Sequence, residues 1–205
     1  MIIILKKITY ILIDFILQFL LINITVRSYI LIMDRYQDLF IKNGKYIGNY
    51  EKMYQLFDDP WRQLDDGHFN SISRYSVIYF INKFKIKSCV EFGCGLGKTM
   101  NFINSNTNVE LLGIDISETS IKKAKEFFPE LRFKVDSIEN IINYKSFDCF
   151  FMSEIGWMLL EDNLIDRIFD CMKEEFKGKY LINNLSFYKG QQEYGKNYFT
   201  NLQEF

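Results

Sequence analysis

The sequence is poorest in the residues that most often carry metal and redox chemistry. It has one histidine, His68, and four cysteines, Cys89, Cys94, Cys149 and Cys171, with no C-x-x-C pair among them. That set does not compose a Cys/His zinc site of ordinary spacing, so no metal is expected. Thiols so placed read as reduced cysteines of a cytosolic protein rather than as a disulfide framework. Charge imbalance is missing as well. Lysine plus arginine number 25 and aspartate plus glutamate 26, a formal net charge of −1, with both signs scattered. Nothing steers the chain toward nucleic acid or an anionic lipid surface. Repeats and low-complexity tracts are also absent, and the two prolines, Pro60 and Pro129, sit where turns or helix ends are expected.

What is abundant is apolar and aromatic side chain, 48% and 17% of 205 residues. A chain of that length and composition builds one domain with a real core. Residues 1–33 are more apolar than the rest, and 8–25 has the length of a marginal membrane span preceded by Lys6 and Lys7. Asp14, Gln18 and Asn23 interrupt it, and an acid near mid-bilayer is costly. No small-residue cleavage site follows it. The stretch is therefore expected as an N-terminal extension, upstream sequence or a docked extra helix, with membrane anchoring the lesser reading and a cytoplasmic location expected. Residues 34–86 follow as a helical cap or lid, with turn signals at Gly44, Gly48 and Pro60 and a helix over Asn70–Phe84.

From residue 87 the pattern alternates regularly. Strands are expected at Ser88–Gly93, Val109–Ile116, Leu131–Asp136, Phe147–Glu154 and Lys179–Leu185. Helices fall between them, beginning near Gly97, at Glu118–Phe128 and at Met158–Phe176, with Ser117 as an N-cap and Ser120 at its N3 position. Near-continuous apolar strands alternating with helices imply an α/β fold, a Rossmann-like doubly wound, mostly parallel sheet covered on both faces. After the fifth strand only 20 residues remain, 186–205, with no further apolar strand. The last strands of such a sheet are expected to be lacking, leaving an unpaired edge that invites self-association or a partner.

The stretch "VEFGCGLGKT", Val90–Thr99, concentrates the chemistry. A phosphate-binding G-x-x-x-x-G-K-[ST] loop needs glycine where this chain has Phe92. A dinucleotide G-x-G-x-x-G needs it where Lys98 stands. The pattern present is an acid, Glu91, followed by Gly93, Gly95 and Gly97 at alternate positions. A carboxylate there repels a pyrophosphate and suits a ligand with a cationic amino group, which favours S-adenosylmethionine. Asp115 ends the second strand, where it can accept ribose hydroxyls, and Asp136 ends the third, within reach of an adenine amino group. Ile116 and Ser137 follow those acids and are counted with them as cofactor contacts. Cys94 lies inside the cofactor loop as a small packing residue, and Lys98 is expected to face solvent.

With these residues the chain, from about Asp59 to Leu185, resembles the class I S-adenosylmethionine-dependent methyltransferases. "VEFGCGLGKT" resembles their first motif, "LLGIDIS" their second, "FKVDS" their adenine-contacting turn and "FDCFFMSEIGWML" the motif after their fourth strand. "DDPW" at 58–61, the helix leading into "VEFGCG", "GIDIS" and "FMSEI" are similar to nodulation-protein-S-type methyltransferases. The resemblance implies methyl transfer to an oxygen or nitrogen of a small-molecule acceptor, with relatives acting on amino sugars and in surface-glycan pathways. Lys98 and "IGWM" depart from that pattern, so the acceptor does not carry over.

Glu154 ends the fourth strand and is a candidate cofactor contact and base; the alternative is hydrogen bonding to loop amides. His68, in "DDGHFN", is a second candidate base. Trp61, on the loop after Pro60, is a candidate lid aromatic with core packing the alternative, Trp157 belongs to the pocket wall or to helix packing, and Tyr188, with Gln192 and Tyr194, lies where acceptor loops arise. Two rivals stay open: an NAD(P)-binding oxidoreductase, and a non-catalytic subunit that binds cofactor without turnover.

Overall fold

The computed structural model describes residues 39–42, 45–66 and 72–187. The apolar extension 1–33, with the candidate span inside it, lies outside these residues, as do His68, Tyr188, Gln192 and Tyr194. Among the described residues no helix is long and apolar enough to cross a membrane, and no group of histidine, cysteine, aspartate and glutamate could hold a metal ion.

A short antiparallel ribbon, β1 (Ile41–Lys42) and β2 (Lys45–Tyr46), leads into helix α1 (Tyr50–Leu56) and then α2 (Ile72–Lys83). Strand–helix alternation follows: β3 (Ser88–Phe92), α3 (Lys98–Asn106), β4 (Glu110–Asp115), α4 (Glu118–Phe127), β5 (Phe133–Val135), β6 (Cys149–Ser153), α5 (Leu164–Glu175) and β7 (Tyr180–Asn184). The strands form one sheet in the order β5-β4-β3-β6-β7, every pair parallel. This is the doubly wound arrangement expected from the alternation, with β3 central.

Period-two alternation along the central strands fixes which layer each side chain enters. Cys89 on β3 and Cys149 and Phe151 on β6 pack with Val77, Ile81, Met100, Ile103 and Ile121 of α2, α3 and α4. Val90 and Phe92, Phe150 and Met152 point the other way, toward Ile138, Ile141, Ile165 and Ile168. Glu91 shares the first of these faces and comes last on it, at the carboxyl end of β3. A third, smaller cluster joins Phe40, Met53 and Tyr54 of the N-terminal segment to Leu96 of the glycine loop. That contact seats the cap on the sheet domain.

Three local expectations are corrected. The helix expected over Met158–Phe176 is broken: two short 3₁₀ turns, Gly156–Leu159 and Glu161–Asn163, precede α5. Asp162 and Asn163 adopt φ of 56° and 52°, a left-handed conformation that these two residue types tolerate best after glycine. Ile138–Tyr144 forms a 3₁₀ stretch beneath the second face, where no element was expected. The β1–β2 ribbon was likewise not expected from the 34–67 segment. Ser117 does cap α4, its Oγ accepting the Ser120 amide at 3.0 Å.

Gly97 and Gly178 separate two contributions to stability. Both have φ of +79°, but a Cβ on Gly97 would lie 2.6 Å from the Phe133 ring, whereas one on Gly178 would meet nothing within 4 Å. Gly178→Ala is expected to cost about 1–2 kcal/mol, from the left-handed backbone alone. Gly97→Ala is expected to cost a further ~1–3 kcal/mol of overpacking. Urea midpoints at constant slope check both values.

Candidate functional site

The carboxyl ends of β3, β4 and β6 open into a crevice of about 380 Å³, beside the strand where the sheet order reverses. That is where open parallel sheets bind ligands. Of the residues singled out from sequence, Glu91, Gly93, Asp115, Ile116, Asp136, Ser137, Glu154 and Trp61 line it. Cys94, Gly95, Gly97 and Trp157 are not in its wall.

The three glycines serve three different ends. The Gly93 and Cys94 amides both donate to the Ile114 carbonyl, at 2.7 and 2.9 Å, which brings the loop tightly over β4. Gly93 has φ of +74°, and a Cβ on it would stand 2.4 Å from Ile155, so here the missing side chain keeps the crevice floor close to the β6 loop. Gly95 faces the cap instead: a Cβ would strike Gln63 Oε1 at 2.3 Å and the Tyr54 hydroxyl at 2.7 Å. Gly97 packs on Phe133. Cys94 is fully buried, its sulfur close to Gly113, so it packs the turn and does not face the crevice.

The acids differ in how completely their oxygens are engaged. Asp115 is buried and accepts the Gly95 amide on Oδ2 and the Ser117 amide on Oδ1, both at 2.9 Å. Burial raises its carboxyl above the usual range, opposed by the bonds from Ser117, Gly95 and Ser120. Asp136 is saturated. Its Oδ1 accepts the Ser137 amide and Asn140 Nδ2, and its Oδ2 accepts Lys134 Nζ and the Tyr144 hydroxyl. Although burial acts to raise it, those donors hold it well below the ordinary carboxylate range. Four donors fill the four acceptor positions of its carboxylate, while the residue itself lines the crevice.

Glu91 is the opposite case. It is 2% exposed, it lines the crevice, and its Oε2 has no hydrogen-bond partner among the described residues. Burial pushes its carboxyl up to about 8, with Arg74 opposing and Asp115 adding to the rise. Glu154, at φ of +62°, accepts the Ser186 amide at 2.9 Å and the Ser186 hydroxyl at 2.7 Å. Of its two expected roles, the structure displays the bonding to the following loop.

The cap contributes residues with no signal in the sequence. Tyr50, Tyr54 and Gln63 line the crevice, and Arg74 of α2 enters it from the side. The guanidinium of Arg74 is lowered by burial and supported by the charges of Glu91 and Glu154. Burial, followed by the Asp115 charge, pushes the Tyr50 phenol up to about 12, so it remains a neutral hydroxyl. Gln63 clamps the glycine loop, accepting the Leu96 amide on Oε1 at 2.8 Å and donating Nε2 to the Cys94 carbonyl at 3.4 Å. Asp59, from "DDPW", organises that clamp by accepting the Gln63 and Leu64 amides, each at 2.7 Å.

The Trp61 ring packs at a tilt of 59° against Phe40 with centroids 4.7 Å apart, so the candidate lid aromatic also packs on the cap cluster. Trp157 is buried in the second core cluster, its Nε1 donating to the Ser186 carbonyl at 3.1 Å, so of its two expected places it takes the packed one and not the pocket wall. Lys98 is corrected from solvent-facing to partly buried, its Nζ 2.9 Å from Asp66 Oδ1.

Several known proteins are similar to parts of this chain. Residues 89–177 match the family model described as "Methyltransferase domain". A methyltransferase-named protein, 235L of Invertebrate iridescent virus 6, is 34% identical over 95 residues, 44% of this chain and 35% of that protein. The chain thus spans about a third of the length of that curated relative. Similar solved structures include the plantazolicin methyltransferase BamL, in complex with a triazolic desmethylPZN analog and SAH, at 22% identity and TM-score 0.49, covering 76% of this chain and 56% of that one. Streptomyces venezuelae DesVI is similar at 13% identity and TM-score 0.49, covering 70% and 60%. The segment 89–177, from the glycine-loop strand through α5, is thus similar to that family's domain, and the sheet it contributes to is of the doubly wound type.

Proposed function

We propose that this crevice binds S-adenosylmethionine and that the protein transfers its methyl group to an oxygen or nitrogen of a small-molecule acceptor. One observation carries the reading: a buried carboxylate, Glu91, with an unsatisfied oxygen in the crevice wall. A buried carboxylate oxygen with no hydrogen-bond donor is costly. A ligand ammonium supplies that partner, whereas a pyrophosphate would add repulsion. Arg74, beside Glu91, is placed to take the ligand's carboxylate, so the two side chains together read a zwitterionic amino-acid end. Asp115, held by a single backbone donor on each oxygen, keeps acceptor capacity for ribose hydroxyls. Ile116, half-exposed at the crevice, offers an apolar surface to the base.

When bound, S-adenosylmethionine supplies a methyl group already activated for displacement. The protein's task is therefore alignment and exclusion of water, and the cap residues Tyr50, Trp61 and Gln63 over the crevice serve the second. Glu154, engaged by Ser186, holds the loop after β7 at the crevice rim. The acceptor class rests on the sequence alone: the similarity of "DDPW", "GIDIS" and "FMSEI" to nodulation-protein-S-type enzymes supports an amino sugar or a surface-glycan precursor.

Titration calorimetry of the full chain with S-adenosylhomocysteine and, separately, NAD tests the ligand. Binding of NAD alone would sink the reading. Asp115→Asn is expected to weaken S-adenosylhomocysteine about tenfold, the value of one to two hydrogen bonds to a charged group. Asp136→Asn is expected to lower the melting temperature while leaving affinity nearly unchanged.

Glu91 sets a pH dependence whose sign follows from its raised value. Its carboxyl titrates near 8 in the fold against 4.5 as the ordinary value. Between those values the folded state holds more protons than the unfolded, so stability falls as pH rises through that window. Ligand ammonium needs the ionised acid, so affinity is expected to rise from pH 6 toward pH 8, by up to about tenfold per unit. It is expected to decline above, as the ligand's own amine (ordinary pKa about 8) loses its charge. Glu91→Gln is expected to raise the melting temperature of the ligand-free protein at pH 8 and to abolish the rising limb. Calorimetry in two buffers of different ionisation enthalpy reads the released proton directly.

A further inference from the structure

The carboxylate with the most unexpected set of partners lies in the cap rather than in the crevice. Glu51, in the first turn of α1, accepts four hydrogen bonds: from Gln55 Nε2 at 2.8 Å, Ser117 Oγ at 2.7 Å, the Thr119 amide at 3.1 Å and Thr119 Oγ1 at 2.5 Å. Three of the four come from the turn after β4, across 66 to 68 residues of sequence. A carboxylate at that place also meets the positive end of α4. Its donors outweigh the effect of burial and bring it down to about 2, so it stays ionised in neutral solution.

Ser117 stands between this carboxylate and the acid assigned to the ribose. Its hydroxyl donates to Glu51 and accepts from the Ser120 amide, while its own amide donates to Asp115 Oδ1. The hydroxyl thus has its proton direction fixed by Glu51 and its lone pair used by α4. The backbone of Ser117 is pinned, and with it one of the two donors that orient Asp115. A second fastening of the cap takes a separate route. Lys123 of α4 donates to the Tyr54 and Phe57 carbonyls at 2.9 Å, satisfying the carboxyl end of α1 without touching Ser117.

We propose that Glu51 is a positioning residue for the ligand's ribose: through Ser117 it holds Asp115 in the orientation that accepts the hydroxyls, so that seating the cap and gripping the sugar are one event. The proposal rests on the assignment of S-adenosylmethionine to the crevice. It goes beyond that assignment by making a cap side chain that does not line the crevice a determinant of affinity for one part of the ligand. Lys123, by contrast, holds the cap without acting on the sugar.

The test uses the full chain and two probes, S-adenosylhomocysteine and its 2′,3′-dideoxy analogue, titrated into the wild type, Glu51→Ala, Glu51→Gln and Lys123→Ala. Melting temperatures are read for each protein. Glu51→Ala is expected to weaken S-adenosylhomocysteine about tenfold, as loss of well-oriented hydrogen bonds does, and to weaken the dideoxy analogue far less. Glu51→Gln keeps one acceptor oxygen and is expected to fall between. Lys123→Ala is expected to weaken both probes equally, in step with the melting temperature. Equal losses of the two probes in Glu51→Ala, or the same asymmetry in Lys123→Ala, would overturn the proposal. If the wild type binds neither probe, the failure belongs to the ligand assignment instead.

Discussion

The bond pair made by Asp115 is the joint on which the site depends. Its two oxygens take one amide from the glycine loop and one from the turn into α4. Both amides are buried, and a buried N–H without an acceptor is rare in folded proteins because its desolvation is uncompensated. One carboxylate therefore fixes the relative position of two loops that come from adjacent parallel strands. The left-handed conformation at Gly95 turns its amide toward Asp115, and the N-cap at Ser117 follows from the same turn. Replace the acid, and the two loops lose their common reference before any ligand is considered.

The glycine loop shows why motif spacing overstates what each position does. Gly93 brings the backbone close to the crevice, Gly95 makes room for Gln63 and Tyr54 of the cap, and Gly97 makes room for Phe133 beneath α3. Only the first acts at the crevice wall. The other two let separate layers approach the loop from above and below, and Leu96 between them is buried in the cap cluster. The loop is thus a three-way junction of cap, crevice and sheet. That accounts for glycine at alternate positions without requiring three ligand contacts.

Much of the architecture was legible because its signals are local. Buried parallel strands announce themselves as short apolar runs, and Ser117 ahead of "ETSIKKAKEFF" marks a helix start by its own chemistry. The crevice acids were legible for the same reason, since strand carboxyl ends fix their place. What could not be read depends on contacts distant in sequence. Arg74 sits in "ISRYSV", where nothing separates it from a surface arginine, and Gln63 reaches the loop across 31 to 33 residues. The break before α5 was missed because "MLLEDNLIDRIF" is apolar at helical spacing, while the left-handed Asp162 and Asn163 interrupt it only through backbone geometry. Asp136 was placed correctly at its strand end, but that four donors surround it was not readable from the chain.

Counting engaged oxygens sorts the acids of the site more sharply than counting charges. Asp136 and Glu51 are filled from within the protein and serve as fasteners. Asp115 is oriented by one amide on each oxygen, with the Ser120 side chain acting on it as well. Glu91 retains an oxygen that nothing among the described residues satisfies, and burial displaces its carboxyl to about 8. Each pH unit of displacement is worth about 1.4 kcal/mol, so ionising this carboxyl in the ligand-free fold costs several kcal/mol more than in water. The fold carries this cost at one position and spreads none of it to the fasteners around it. A site built so leaves one buried carboxylate oxygen open at the crevice wall, with the guanidinium of Arg74 acting on the same acid. Under the proposed reading an ammonium completes that oxygen while Arg74 takes the ligand's carboxylate.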